Sequence, residues 1–260
     1  MAENKKQSSW KVLATLLAAT FLGSSAMAAD TSDPHHDPSH GHSHSQTAND
    51  PATIAYEAAK GKMQSPINLV SAEVSGTAGL LNMKFDYKDT PLNIKNDGHT
   101  IVVNVPEGNN VTINGHQFEL KQCHFHFPSE YAIDGKVFDG ELHCVHMDRN
   151  GNLGVIGVLI EEGKEHPEAA KIWDHFPESG ETKDVPEVRV NAANFIPENK
   201  SHFALMGSLT TPPYTEGLFW HVLETPIQFS PQQIKQFQDT FEPNARDLQK
   251  RNNRPVTLNY

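Results

Sequence analysis

The chain has 260 residues, of which 37% are hydrophobic and 20% are charged, and its formal net charge is −11. This composition is typical of a globular protein with enough apolar residues for one sizeable core. An acidic chain without clustered basic residues is poorly suited to bind the phosphates of a nucleic acid, so that class of partner is excluded.

The first 28 residues match a secretory signal peptide. Three lysines precede an apolar run from Val12 to Leu22, and a small-residue cleavage site ends at Ala28. The run is much shorter than the roughly 20 apolar residues that a membrane-spanning helix needs, so an uncleaved anchor is the weaker alternative. We therefore expect a periplasmic or secreted protein without a membrane span after cleavage.

A histidine-rich tract follows at residues 29–51. Its histidines are His35, His36, His40, His42 and His44. They alternate with Ser, Asp, Gly and Pro, and the tract has too few apolar residues to bury, which predicts disorder. Weak metal capture and a plain solvated linker both fit this composition. Residues 52–260 then form one domain.

Short β-like runs separated by turns dominate that domain. The runs cover residues 100–105, 111–113, 117–127, 137–147 and 153–160. Asn-Gly or Asp-Gly pairs at 114–115, 134–135 and 150–151 favour tight hairpin turns, where positive φ is required. Helices are expected only at 166–176 and from Ser230 to about Phe241. The pattern predicts a mainly β (α+β) single domain, built on a large twisted, mostly antiparallel sheet with a few short peripheral helices.

Three histidines on two of these runs form a candidate metal site. Strand alternation places His124 and His126 on one face of the run 117–127. If this run pairs with 137–147 through a hairpin at 134–135, His143 joins them. Three imidazoles with an open fourth position describe a catalytic zinc site better than a structural one. Copper, nickel or cobalt could occupy the same ligands.

Two polar side chains are candidates to hold these imidazoles in place. Gln122 shares the face of His124, and Glu141 shares the face of His143 and Val145. A metal-bound imidazole needs an acceptor for its other ring N–H, and an amide oxygen or a carboxylate can supply it.

The chain has two cysteines, Cys123 and Cys144, both inside strand-like runs. An exported protein can form a disulfide, but a count of two does not show that they pair. The sequence favours two buried thiols that act as small apolar residues.

Several motifs together resemble the alpha-carbonic anhydrase family. The central ones are HFH at 124–126 and ELHCVH at 141–146. The others, in chain order, are QSPIN at 64–68, NDGH at 96–99, GSLTTPP at 207–213 with Glu216 and Trp220, and NNRP at 252–255. The resemblance covers about residues 61–255 and is closest to the bacterial secreted or periplasmic members.

The resemblance implies a zinc enzyme that reversibly hydrates carbon dioxide to bicarbonate and a proton. Zinc-bound hydroxide would attack CO2, with His124, His126 and His143 as the metal ligands. Thr210 would accept the hydrogen of the hydroxide and direct its own proton to Glu130, which orients the nucleophile. His99 would then shuttle the proton to solvent, since a histidine pKa of about 6.5 suits that task.

The resemblance also implies an apolar recess for CO2, which is small and has no dipole. The residues of its wall are Val145, Val155, Leu209, Thr211 and Trp220. Ordinary core packing is the alternative explanation for each of them. The only expected small-molecule partners are CO2 and bicarbonate, and the sequence leaves a homodimer open.

The chain departs from the family pattern in two places. The aromatic segment that usually precedes the first motif is missing, and bacterial members commonly carry cysteines where this chain has Ala58 and Tyr214. Two other functions fit parts of the sequence: a non-catalytic binding module of the same family, and a periplasmic zinc-handling protein.

Overall fold

The computed structural model describes residues 60–77 and 82–260, all within one compact unit. The signal peptide and the histidine-rich tract lie outside the described residues. The strands are β1 (Asn68–Leu69), β2 (Gly76–Thr77), β3 (Met83–Asp86), β4 (Thr90–Asn96), β5 (Ile101–Asn104), β6 (Asn110–Ile113), β7 (His116–His126), β8 (Ala132–Ile133), β9 (Lys136–Val137), β10 (Gly140–Met147), β11 (Leu153–Glu162), β12 (Thr182–Val190), β13 (His202–Ser208), β14 (Glu216–Phe229) and β15 (Val256–Asn259). The helices are α1 (Pro167–Trp173) and α2 (Pro231–Thr240), with short 3-10 turns at Ser71–Glu73 and Ala192–Phe195.

One large sheet organises the described part of the chain. Its order is β12-β4-β5-β7-β10-β11-β14-β13-β15-β2, and β3 and β6 extend it beside β7. Neighbours are antiparallel except for β11 with β14 and β15 with β2, which are parallel. A separate small sheet contains β1, β8 and β9. The predicted mainly β domain with a large, mostly antiparallel sheet is confirmed.

Local sequence explains the main turns and helix starts. Asn114 and Gly115 both have positive φ, 51° and 80°, as a tight turn between β6 and β7 requires. Helix α2 begins after Ser230, whose hydroxyl accepts from Gln233 N while the Gln233 side chain accepts from Ser230 N. Both helices lie inside their predicted ranges and end earlier.

The turn at Asp134 and Gly135 does not have the role that the sequence analysis gave it. It joins β8 to β9, where Ile133 lies opposite Lys136. The predicted run 137–147 is therefore interrupted between Val137 and Gly140. Strands β7 and β10 nevertheless pair antiparallel. The β8–β9 hairpin lies between them in the sequence but belongs to the separate small sheet.

The sheet separates two apolar clusters. One packs Phe125 and Leu142 against the helices through Trp173 and Phe237. The other, on the opposite face, includes Val145, Val155, Trp220, Tyr131 and Val222. Because side chains alternate along a strand, one strand can serve both clusters. Within 60–77 and 82–260, no helix is long and apolar enough to cross a membrane.

Cys123 and Cys144 form a disulfide, so the favoured expectation of two free thiols was wrong. The two residues are directly opposite in the β7–β10 ladder, with their Cα atoms 4.2 Å apart. The number of cysteines in a sequence does not show which of them lie opposite each other in a sheet. Their expected burial is confirmed, since Cys123 is 5% and Cys144 0% exposed.

Candidate metal centre and active site

The three predicted metal ligands meet on neighbouring strands. His124 and His126 lie on β7, His143 lies on β10, and His124 is directly opposite His143. One ligand nitrogen from each ring lies within 4.8 Å of the other two. In the described part of the chain, no other group of three His, Cys, Asp or Glu residues meets this condition.

Two of the rings are held through Nδ1, which leaves Nε2 for a metal. His124 Nδ1 lies 2.8 Å from Gln122 Oε1, and His126 Nδ1 lies 3.1 Å from the Asn244 carbonyl oxygen. The His143 ring has the opposite orientation, because its Nε2 and not its Nδ1 faces the polar side chain. This Nε2 lies 3.1 Å from Glu141 Oε1, although the two atoms are not aligned as a hydrogen bond. Gln122 and Glu141 thus each contact one of the three rings, and the sequence analysis did not name Asn244.

Electrostatics favour neutral imidazoles here. Burial lowers the pKa of His124 and of His126, and it lowers the pKa of His143 to about 4. All three rings therefore keep a lone pair for a metal ion at neutral pH. His126 Nε2 is buried and has no hydrogen-bond partner in the structure. An orphaned buried nitrogen is costly, and a cation between the rings would satisfy it.

Glu141 is enclosed behind His143. Its Oε2 accepts hydrogen bonds from Glu130 N at 2.9 Å and from Tyr131 N at 2.8 Å. Burial raises the pKa of Glu141 to about 7, and these two hydrogen bonds oppose that effect. The carboxylate therefore links the ring of His143 to the backbone that carries Glu130.

The predicted pair Glu130 and Thr210 lies on two loops. Glu130 Oε1 accepts from Arg246 N at 2.8 Å, while Oε2 is buried, accepts no hydrogen bond and lies 3.7 Å from His143 Nδ1. Thr210 is buried on the loop between β13 and β14. The hydrogen bonds of the described residues include none between Thr210 and Glu130.

Three predicted wall residues form a row across the sheet. Val145 on β10 lies opposite Val155 on β11, which lies opposite Trp220 on β14. On its other side, Val145 lies opposite Gln122 on β7. The Trp220 ring packs edge-on against His143, with centroids 4.8 Å apart. Two further predicted residues lie on the loop after β13: Leu209 packs against the same apolar cluster, and Thr211 is exposed.

Arg246 and Tyr214 hold that loop in place; the sequence analysis gave Arg246 no role and treated Tyr214 only as the position of a missing cysteine. The Arg246 guanidinium lies 3.9 Å from the Tyr214 ring centroid and donates to Gln64 Oε1 at 2.9 Å and to Ser65 O at 2.6 Å. Ser65 N in turn donates to Ser208 Oγ at 2.9 Å. Residues from three distant segments are joined here, so no local pattern could have revealed the contact.

His99 lies on an exposed turn beside the site. Asp97 Oδ1 accepts from His99 N and from Thr100 N, each at 2.9 Å, and Asn244 Nδ2 donates to the His99 carbonyl at 3.1 Å. The turn leads into β5, where Val102 lies opposite His124. The His99 side chain is exposed near the strand that carries two candidate ligands.

A family model for eukaryotic-type carbonic anhydrase matches residues 49–260. The chain belongs to the alpha-carbonic anhydrase family. A carbonic anhydrase from Neisseria gonorrhoeae is 40% identical over 201 residues, which are 75% of this chain and 74% of the relative. One from Nostoc is 39% identical over 201 residues, 75% of each chain. This chain is therefore an enzyme of the carbonic anhydrase type, and CO2 hydration is the general reaction of the family.

Solved structures of alpha-carbonic anhydrases match the fold. A hyperthermostable carbonic anhydrase from a hydrothermal vent chimney aligns with a TM-score of 0.74 and 38% identity, over 79% of this chain and 92% of that chain. The alpha-carbonic anhydrase of Thermovibrio ammonificans, in complex with the inhibitor sulfanilamide, aligns with a TM-score of 0.75 and 38% identity, over 78% and 90%. The family expectation for the sheet architecture is confirmed.

Proposed function

We propose that the chain holds Zn²⁺ with His124, His126 and His143 and uses it to hydrate CO2 reversibly to bicarbonate and a proton. The observation that carries this proposal is the cluster itself. Its three ligand nitrogens lie within 4.8 Å of one another, and burial lowers the pKa of every ring. Neutral imidazoles also suit copper, nickel and cobalt, so metal analysis is part of the test.

Zinc in such a site lowers the pKa of a water ligand to about 7 and so supplies a nucleophile at neutral pH. The protein then has to orient that nucleophile. With zinc bound, the Thr210 hydroxyl oxygen would accept the hydrogen of the nucleophile, and the Thr210 hydroxyl would donate its own proton to Glu130. Glu130 suits this role because Arg246 N already donates to Oε1, while Oε2 is buried, accepts no hydrogen bond and lies 3.7 Å from Nδ1 of His143.

The substrate site is the apolar recess beside His143. Val145, Val155 and Trp220 form its floor from three adjacent strands, and Leu209 and Thr211 border it from the loop. An uncharged molecule without a dipole gains nothing from ionic groups, so apolar walls favour CO2 and release charged bicarbonate. The proton leaves through His99, whose side chain is exposed to solvent.

A stopped-flow CO2 hydration assay with parallel metal analysis tests the proposal. We expect about one zinc per chain, activity that a chelator removes, and inhibition by sulfanilamide. His143→Ala leaves two protein ligands and should lose both zinc and hydration. His116→Ala is the matched control, since His116 also lies on the sheet but pairs with Asp148 at 3.0 Å. Full zinc content and hydration in His143→Ala would refute the ligand assignment.

We also propose that residues 1–28 direct export and are removed, and that residues 29–51 are a histidine-rich tract that precedes the domain in the sequence. The Cys123–Cys144 disulfide supports export, because disulfides persist in oxidising compartments. Cell fractionation and N-terminal sequencing should find a periplasmic or secreted protein that begins at Ala29. A cytoplasmic protein that begins at Met1 would contradict this.

A further inference from the structure

We propose that the Cys123–Cys144 disulfide is a positioning device for the metal ligands, so that its reduction accelerates metal loss from a protein that stays folded. The inference rests on the proposed zinc site. It concerns two residues that take no part in the reaction described above and that lie on the opposite face of the sheet from the ligands.

The register of β7 and β10 carries the argument. Cys144 lies opposite Cys123, and the next rung of the same ladder pairs His143 with His124. Each cysteine is thus covalently adjacent to a candidate ligand in its own strand. The disulfide fixes the distance between the two strands at the rung beside the ligand pair.

An irregularity in the ladder makes this position important. The β7–β10 register shifts between Val145 and His146, one rung beyond the disulfide. A bulge interrupts ladder hydrogen bonds and increases the local twist. The disulfide lies between this bulge and the ligand pair, where it prevents the bulge from spreading toward His143. A one-residue slip would turn that side chain to the other face of the sheet.

On the back of the sheet the disulfide is buried, with Cys123 5% and Cys144 0% exposed. A small cavity there is lined by Cys123 together with Lys88, Asn109 and Phe195. A water-soluble phosphine can reduce the bond: the S–S bond takes up two electrons and two protons, and the phosphine becomes its oxide with an oxygen from water. Two thiols then replace the link, and no other bond changes.

The test compares zinc release from oxidised and phosphine-reduced holoenzyme. Zinc is captured by an excess of a chromophoric chelator under native conditions, and thiol titration confirms two thiols per reduced chain. We expect release to be on the order of tenfold faster after reduction, similar to the loss of other groups that orient metal ligands. The absorption spectrum of the cobalt-substituted protein should also change, because it reports ligand geometry directly.

Two controls separate this role from general stabilisation. The Cys123→Val, Cys144→Ala double variant keeps an apolar filling, and should release zinc rapidly whether or not phosphine is present. A lower melting temperature with unchanged zinc release and an unchanged cobalt spectrum would overturn the inference. If reduction unfolds the wild-type chain, the folded double variant is compared with the oxidised wild type instead. Unchanged zinc release and an unchanged cobalt spectrum in that variant would likewise overturn the inference. Absence of zinc from the oxidised protein would instead refute the proposed function.

Discussion

Gly157 leaves the space that the carboxylate of Glu141 occupies: a Cβ atom on Gly157 would lie 2.7 Å from Glu141 Oε1. Gly157 is the register partner of His143 on the neighbouring strand β11. The buried carboxylate therefore stays behind the His143 ring because the next strand has no side chain at this point. A backbone position outside the metal centre controls the orientation of a candidate ligand.

Substitution of this glycine should consequently impair metal binding. We expect Gly157→Ala to displace Glu141 and weaken zinc affinity by about 10–100-fold, the usual cost when a group that holds a metal ligand is lost. Gly154→Ala, on the same strand, is the control, since its Cβ would have an ordinary contact with Phe118 at 3.5 Å. Competition with a chelator measures both affinities. Equal affinities in the two variants would show that Glu141 tolerates the methyl group.

The stack of Arg246 on Tyr214 should matter for the active-site loop. Tyr214→Phe keeps a ring under the guanidinium and should behave like the wild type. Tyr214→Ala removes it and should cost about 1 kcal/mol in the free energy of unfolding. It should also lower kcat/KM, because the same loop carries Thr210. Denaturation and hydration kinetics are measured on both variants. If Tyr214→Phe loses as much stability and kcat/KM as Tyr214→Ala, the stack of the ring on Arg246 is not the cause.

His99 should limit proton export rather than the chemical step. His99→Ala is expected to lower kcat in dilute buffer while kcat/KM changes little, because the proposed proton acceptor at the protein surface is then missing. An imidazole buffer at high concentration should restore much of the rate. His116→Ala again serves as the histidine control. If His99→Ala equals the wild type in dilute buffer, protons leave by another route.

Buried histidines away from the metal centre should make the protein sensitive to acid. Burial lowers the pKa of His221 to about 3 and that of His146 to about 4. In the unfolded chain both titrate near 6.5, so between about pH 6.5 and 4 the unfolded state binds more protons. Stability is therefore retained above pH 6.5 and falls as the pH drops, by up to about 1.4 kcal/mol per unit for each histidine.

This acid sensitivity is testable at one position. His221→Phe removes one proton-binding group and should reduce the slope of unfolding free energy against pH between pH 6.5 and 4.5. Urea titrations of zinc-loaded wild type and variant measure the slopes, and the contribution of zinc release is common to both. Identical slopes would mean that His221 is already protonated in the folded protein.

Strand alternation was sufficient to predict which side chains share a face. Gln122 and His124 align on β7, and Glu141 and His143 align on β10, because the period of two is a local property of an extended chain. The hairpin turn that was expected to join these strands was misplaced. A turn motif indicates a reversal of the chain, but it does not show which strands it connects.

Contacts between distant segments could not be predicted. The carbonyl that holds His126 belongs to Asn244, and every residue has a carbonyl, so the sequence contains no signature for this partner. The parallel pairing of β11 with β14 and the opposition of Cys123 to Cys144 are likewise set by tertiary packing. The family resemblance supplied roles for Thr210 and Glu130 that composition and spacing do not reveal.

The order of the strands has a consequence for how the protein matures. The three histidines lie on β7 and β10, which are separated only by the small β8–β9 hairpin, whereas Thr210 lies on the loop that precedes the distant strand β14, the partner of β11. Closing a longer loop costs more entropy and slows folding. We therefore expect a newly made chain to capture its metal ion early and to become a competent enzyme only when β14 docks.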